Sequence, residues 1–167
     1  MTEPGDAEFE AFVLAAWPRL RQAAYALTRN TEDAEDLLQG VLVRLYTRWG
    51  RLGQDDPTAY VRRMLVNSYI DATRRRRRGR EVPVAEPVDV PSLDATAVVA
   101  DRDDLVGRLS VLSERERAMV VMRHYLDAPE AEVARALGCS VGTVKSTCSR
   151  ALQRLRVPMT VTREDQR

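Results

Sequence analysis

Lysine is nearly absent from these 167 residues: Lys145 stands alone beside 25 arginines, among 26 basic residues in all. That imbalance reads as the coding bias of a GC-rich genome rather than as chemistry. Histidine is as scarce. His124 has no second histidine to share a metal or to activate a nucleophile. The cysteines, Cys139 and Cys148, are too few for a disulfide scaffold and lack the second ligand pair of a zinc site. Both read as small, buried or half-buried side chains. No apolar run approaches the length that spans a bilayer. The opening MTEPGDAEFEAF is acidic and lacks the basic-then-apolar order of a signal peptide, so the expectation is a cytoplasmic protein without a membrane partner. The densest carboxylates, Asp33, Glu35 and Asp36, fall in the first turn of a helix, where the dipole favours them. No histidine pair, phosphate-cradling glycine loop or nucleophile motif accompanies them. The reading is therefore not an enzyme, with no cofactor and no metal.

What is present is helical. Hydrophobic content is 44% and charged content 31%, ordinary values for a folded globular chain. The length allows one domain or two small ones, each with a modest core. Helical periods dominate and few segments alternate with period two, which gives an all-α class. Charge is segregated along the chain. Residues 1–60 carry 6 basic and 10 acidic groups, 61–80 carry 8 and 1, 81–104 carry 1 and 7, and 105–167 carry 11 and 7. Such blocks point to separate surfaces with separate partners.

Three helices are expected in the first unit. One runs from Ala7 to about Thr28, with Phe9, Phe12, Val13, Trp17, Leu20, Ala24 and Leu27 on one side. Pro18 should kink or restart it. The next, Thr31 to Trp49, has an apolar stripe from Ala34 through Leu38, Val41, Leu42 and Leu45 to Trp49. Asp56 before Pro57 has the form of an N-cap with proline at the first helical position. That opens a third helix to about Arg78, with Val61, Met64, Leu65, Ser68 and Ala72 as its core face. At roughly 100° per residue, Arg63, Asn67, Ile70, Arg74 and Arg77 share the opposite face, with Tyr60 beside it. The run RRRRRGR, Arg74 to Arg80, thus continues a stripe that already holds arginine, an amide and an aromatic. Those groups suit phosphate contact, base-edge hydrogen bonds and base stacking.

Residues 81–100 hold three prolines and four acids with no sustained period, the marks of a flexible linker. Extended, they would reach roughly 65–70 Å, about two turns of B-DNA. A second helical unit follows. A helix from Asp103 to Leu112 carries Leu105, Val106, Leu109 and Leu112. Ser113-Glu-Arg-Glu116 is a capping box for a helix through about Tyr125, and Asp127-Ala-Pro-Glu130 has the same form ahead of a short helix to Leu137. Gly138 suits a left-handed C-cap, and Ser140 can cap the last helix, Val141 to Arg156. Short helix, glycine turn and longer helix make a helix-turn-helix, with Ala134 small where the helices must approach. On the last helix Val141, Val144, Cys148, Ala151, Leu152 and Leu155 form the buried side. Gly142, Ser146, Ser149, Arg150 and Gln153 face away, flanked by Thr143 and Lys145. That face is slim, hydroxylated and basic, without acids, as a helix lying in the major groove requires.

These segments together resemble the extracytoplasmic-function (ECF) sigma factors of the sigma-70 class, and most the SigE-like actinobacterial subfamily. AEDLLQGVLVRLYTRW resembles the polymerase-clamp helix of region 2. DDPTAYVRRMLVNSYIDATRRRRR resembles its promoter-melting helix, and LSERERAMVVMRHYLDAPEAEVARALGCSVGTVKSTCSRALQRLR resembles region 4. The resemblance implies residues 1–80 as region 2, 81–102 as linker, 103–157 as region 4 and 158–167 as a tail. It implies core RNA polymerase and promoter DNA as partners, and admits an anti-sigma factor. Asp36, Leu37 and Gln39 match the clamp-contacting positions. The loop from Trp49 to Asp56 matches the element that captures a base flipped from the −10 element. Arg63, Asn67 and Arg74 would line the strand beside it, and the linker would thread the RNA exit path. Thr143, Lys145, Ser146, Ser149 and Arg150 would face the −35 element. Gly40, Ser113 and Pro129 depart from the family pattern, and Gly40 costs about 1 kcal/mol of helix propensity. The competing reading is an autonomous helix-turn-helix regulator; a dimerisation half would have no reason to join the AEDLLQ helix to an Arg/Asn/Tyr stripe.

Overall fold

The computed structural model describes residues 4–52, 55–79, 104 and 107–156. The expected linker, the tail, and Leu105 and Val106 of the expected helix before Ser113 lie outside these residues. Six α-helices lie wholly within the described residues: α1 (Pro4–Thr28), α2 (Thr31–Arg48), α3 (Pro57–Arg78), α4 (Glu114–Val120), α5 (Glu130–Leu137) and α6 (Val141–Arg156), and residues 104 and 107–109 are also helical. A 3-10 turn, Trp49–Arg51, follows α2, and a π-helical turn, Val121–Tyr125, extends α4.

α1 runs through Pro18 without restarting, which removes one of the two outcomes expected there. Pro18 is on the exposed side, and Leu14, whose carbonyl the proline leaves without a donor, is exposed as well. Water can therefore serve that carbonyl. A two-residue connection joins α1 to α2. Arg29 adopts φ 57, and its amide still reaches the Tyr25 carbonyl at 2.8 Å. Asn30 then caps α2, its side chain accepting from the Asp33 amide at 3.0 Å. Ala34, Leu38, Val41 and Leu45 of α2 are buried against Leu20, Ala24 and Leu27 of α1. At the far end Phe9 meets Tyr46 and Trp49 edge-on, with ring centroids 5.1 and 5.4 Å apart.

Asp56 caps α3 as expected, accepting from the Thr58 amide at 2.9 Å, with Pro57 in the first turn. The buried face of α3 is wider than its periodicity indicated. Val61 and Leu65 are buried, but so are Val66, Tyr69 and Thr73, while Met64, Ser68 and Ala72 are half-buried. The cause is tertiary: the second unit covers the other flank of this helix.

In that second unit the Ser113 capping box forms in both directions, the Glu116 amide donating to Ser113 Oγ and the Ser113 amide to Glu116 Oε2. The Asp127 box does not form. Asp127 takes φ 51, its carboxylate pairs with Arg19 of α1 at 2.6 Å, and α5 starts after Pro129 with no side-chain cap. The π turn displaces the chain here: the Leu126 amide bonds back to the Val121 carbonyl at 3.1 Å, so Asp127 leaves the helix in a left-handed conformation. Gly138 ends α5 at φ 64, a conformation glycine adopts without steric cost. Ser140 Oγ accepts from the Thr143 amide at 3.1 Å and opens α6.

The two units share one hydrophobic core. The π turn, α4 and α5 pack on α1 and α3, and two desolvated arginines sit in the seam. Arg62 of α3 grips Glu132 of α5 through Nε at 3.1 Å and Nη2 at 2.9 Å, and its Nη1 donates to the Leu126 carbonyl at 3.1 Å. The side chains of this pair are only 13% and 7% exposed. Arg117 of α4 is 4% exposed. It donates to the Leu109 carbonyl at 3.2 Å and the Leu112 carbonyl at 2.9 Å within its own unit. Across the seam it reaches Tyr69 Oη at 3.1 Å and the Leu27 carbonyl at 3.4 Å. A buried guanidinium persists only when its N–H groups are satisfied in this way. Arg117→Met leaves those acceptors without their donor and is expected to lower stability by about 3 kcal/mol. Exposed Arg135→Met should change it by less than about 0.5 kcal/mol. Urea unfolding followed by circular dichroism measures both.

Candidate nucleic-acid interfaces

Two separate surfaces carry the candidate contacts, and packing of the units leaves both open. On α3, Arg63, Asn67, Arg74 and Arg77 are exposed along one stripe. Ile70, in the same row, is half-buried against the core. Tyr60 is half-buried beside it. Trp49 is half-buried, its ring 5.4 Å from that of Phe9 and 5.2 Å from that of Phe12. Residues 53–54 of that loop are outside the described set. The arginine run is not uniformly free. Arg76 pairs with Asp33 of α2 at 2.8 Å, and Arg77 pairs with Glu114 of α4 at 2.8 Å. Arg74 and Arg78 are exposed at the helix end.

On α6, Gly142, Thr143, Lys145, Ser146, Ser149, Arg150 and Gln153 are all exposed, while Val144, Cys148 and Ala151 are buried beneath them. Cys139 is half-buried, and burial pushes the Cys148 thiol above its ordinary value. Val141, expected inside, is partly exposed, because the helix starts at the rim of the unit. Lys145 lies 3.7 Å from Glu130 of α5, with the lysine side chain largely in water and that of Glu130 about one-third exposed. Such a pair is worth little and yields readily to a phosphate. Beside Lys145 and Ser149 runs an open groove of about 350 Å³, lined also by Arg123, His124 and Arg156. Sequence periodicity gave no sign of these three cations and potential cations as a group, because Arg123 and His124 come from the π turn and Arg156 from the end of α6. Burial, with Arg123 close by, holds His124 below its ordinary value and so neutral near pH 7.

The posture of α6 is held from α4. Arg115 donates to the Leu137 carbonyl at 2.7 Å, satisfying the end of α5. Glu116 pairs with Arg154 in the last turn of α6. The Ser113 backbone N–H chiefly holds the Glu116 carboxyl below its usual value; burial opposes it and Arg154 adds to the lowering.

The third surface lies on α2. Asp36, Gln39 and Gly40 are exposed and align with Val43, which is 64% exposed. Leu37 is half-buried and packs on the core, off that stripe. Val43 escaped the sequence reading because one apolar residue outside a full stripe is ordinary. Among the described residues no helix is long and apolar enough to cross a membrane.

Since the folded-state pKa of Glu116 is depressed, its stabilisation is complete above the unfolded carboxylate value. It fades as pH falls through the lower folded value. The thermal midpoint of Glu116→Gln should therefore fall less steeply than that of the wild type on acidification below about pH 4.5. Parallel slopes would show that Glu116 makes no such contribution.

Two families match the chain: Sigma-70 region 2 over residues 12–79 and Sigma-70, region 4 over residues 102–155. The RNA polymerase sigma-E factor of Streptomyces coelicolor is 41% identical over 150 residues, covering 89% of this chain and 84% of that one. The ECF RNA polymerase sigma factor SigM of Mycobacterium tuberculosis is 34% identical over 139 residues, covering 82% and 69%. Among solved structures, the sigma factor RpoE in complex with the anti-sigma factor NepR from Bartonella quintana superposes with a TM-score of 0.70. It is 26% identical and covers 93% of this chain and 99% of that one. An autonomous helix-turn-helix regulator would account for the second match but not for the first. With an α2–α3 unit and a helix-turn-helix in the same order as these relatives, the chain belongs to the sigma-70 family of RNA polymerase sigma factors, in its extracytoplasmic-function group, whose members direct the polymerase to promoters for transcription initiation.

Proposed function

We propose that this sigma factor divides promoter recognition between the exposed stripes of α3 and α6, and meets core polymerase with the α2 stripe. The observation that carries the reading is that the candidate stripes of α3 and α6 stay solvent-exposed although the two units are packed together. Arg63, Asn67 and Arg74 would line the melted −10 strand, with Tyr60 beside them and Trp49 at the start of the base-capturing loop. Displacing a base from the stack costs a few kcal/mol, which stacking and hydrogen bonds along this face would offset. Arg77 and its neighbours would contact phosphates, adding affinity and salt dependence but little sequence information. On α6, Gly142 and the small hydroxyl residues Thr143, Ser146 and Ser149 would allow close approach to the −35 major groove. Lys145 and Arg150 would supply the charged donors. Asp36 and Gln39 would contact the polymerase clamp, with Val43 as an apolar neighbour and Leu37 supporting the stripe from beneath.

On this reading residues 1–80 form region 2, 81–102 the linker and 103–157 region 4, and the protein acts in the cytoplasm as an initiation factor rather than as an enzyme. An anti-sigma factor, of the kind bound to the Bartonella quintana relative, is a further partner.

Run-off transcription with purified core polymerase tests the assignment. Asn67→Ala should reduce initiation about tenfold, and a pre-melted −10 bubble should not rescue it fully. Arg150→Ala should reduce it by about tenfold on promoters carrying the −35 element and little on those without it, as loss of a base contact worth 1–3 kcal/mol requires. Asp36→Ala should weaken core binding in a titration while leaving the thermal midpoint within about 2 °C. Transcription indifferent to all three would overturn the reading.

A further inference from the structure

Beside the α2 stripe assigned to polymerase, on the side that meets α3, runs a row of cations that the assigned surfaces do not use. Arg44 and Arg48 of α2 and Arg51 of the 3-10 turn are all exposed. Arg44 and Arg48 stand one helical turn apart. The 3-10 turn brings Arg51 into line with them, because side chains three apart eclipse in that geometry; a continued α-helix would carry it off by about 60°. Rises of about 1.5 Å per residue in the α-helix and about 2.0 Å in the 3-10 turn set the three arginines at an even step of about 6 Å. No carboxylate answers them. None takes part in an ion pair among the described residues, and the chain holds no acid between Asp36 and Asp55. Arg44 donates from Nη1 to Ser68 Oγ of α3 at 3.2 Å, which ties the row to that helix, where Asp71 is the only acid. The helix dipole favours a cation in the last turn, such as Arg48, and its effect falls off within that turn. It accounts for neither Arg44, which precedes the turn, nor Arg51, which lies past the helix end. The shape of the row is informative as well. One strand of a duplex advances about 3.4 Å along the axis per phosphate while winding around it. A straight row with a longer step suits a strand already drawn out of its stack. The row ends at Arg51, next to Leu52 of the loop assigned to the flipped base.

We propose that Arg44, Arg48 and Arg51 are a second binding row for the backbone of single-stranded promoter DNA, holding phosphates of the melted strand where it leaves the base-capturing loop. The inference rests on the promoter reading above and extends it from α3 to α2. Guanidinium groups offer phosphate oxygens paired N–H donors, and such contacts carry affinity rather than sequence. A strand gripped on both helices re-anneals less readily, so the row acts on the melted state and not on recognition of the duplex.

Fluorescence anisotropy of the full chain with a labelled single-stranded oligonucleotide of mixed sequence, titrated across a range of salt, tests the row. Each of Arg44→Gln, Arg48→Gln and Arg51→Gln should reduce the slope of log affinity against log salt by about 0.7, and lower affinity about fivefold near 0.1 M salt. The triple variant should lose about 2 from the slope. Arg21→Gln, at an exposed position of α1, removes the same charge and should leave the slope close to that of the wild type. The duplex of the same sequence should lose less affinity with each row variant, and affinity for core polymerase should not change. Glutamine favours helix and keeps a donor for Ser68, so far-UV circular dichroism should be unaltered. Should Arg44→Gln lose helicity, Arg48→Gln and Arg51→Gln carry the comparison, since those side chains bond nothing among the described residues. Row variants that keep the wild-type slope, or a wild-type slope shallower than about 2, would overturn the row. A loss no greater than that of Arg21→Gln, or an equal loss on the duplex, would do the same. Unchanged strand binding with weakened core binding would give the arginines to the polymerase and overturn the proposal. Arg63→Gln reports the α3 assignment separately: if it alone keeps the wild-type slope, that assignment fails and the α2 row stands.

Discussion

The architecture depends on how two arginines are satisfied away from water. Arg62 and Arg117 lie in the seam between the units, and each N–H group there must find an acceptor, since a bare buried guanidinium is far too costly. Arg62 finds a carboxylate and a carbonyl; Arg117 finds carbonyls and the Tyr69 hydroxyl. These acceptors come from helices on both sides. The requirement is met only when the units dock in one orientation. Apolar burial supplies attraction without direction, and the arginines supply the direction. Tyr69 registers the same confinement, since burial pushes its hydroxyl above its ordinary value although Arg117 pulls the other way.

Docking in this way has a consequence for function. The seam uses the flank of α3 that carries Arg62, Val66 and Tyr69, and leaves the stripe from Arg63 to Arg74 in water. From the second unit, α4, the π turn and α5 make the main contacts. Both candidate stripes are thereby left exposed to solvent. Within the second unit, four consecutive residues of α4 reach four different places: Glu114 to α3, Arg115 to the end of α5, Glu116 to α6 and Arg117 into the seam. About 100° between neighbours on a helix makes this possible in a single turn. The same geometry ties the posture of the helix-turn-helix to the first unit.

Much of this was legible in the chain before any coordinates. The periods around Leu38 and Leu45, the caps at Asp56, Ser113 and Ser140, and the left-handed Gly138 are local signals. Each is decided by a few neighbouring residues. The outward faces of α3 and α6 followed from the same periodicity. Pro18 does not restart α1, because a proline on the wet side of a long helix gives up a hydrogen bond that water can replace. The Asp127 box misled because the π turn shifted the register of the chain and Arg19, more than a hundred residues away, claimed the carboxylate.

Helical class, most of the capping and the chemistry of the exposed stripes were thus determined by the sequence alone, since helices are specified by interactions within about one turn. Only the tertiary structure decided that the two units close on each other, that Val66, Tyr69 and Thr73 are inside, and which arginines are paired. Those outcomes depend on where distant acceptors and apolar surfaces meet, and Arg62, Arg63, Arg76 and Arg77 are indistinguishable until that geometry assigns each its partner.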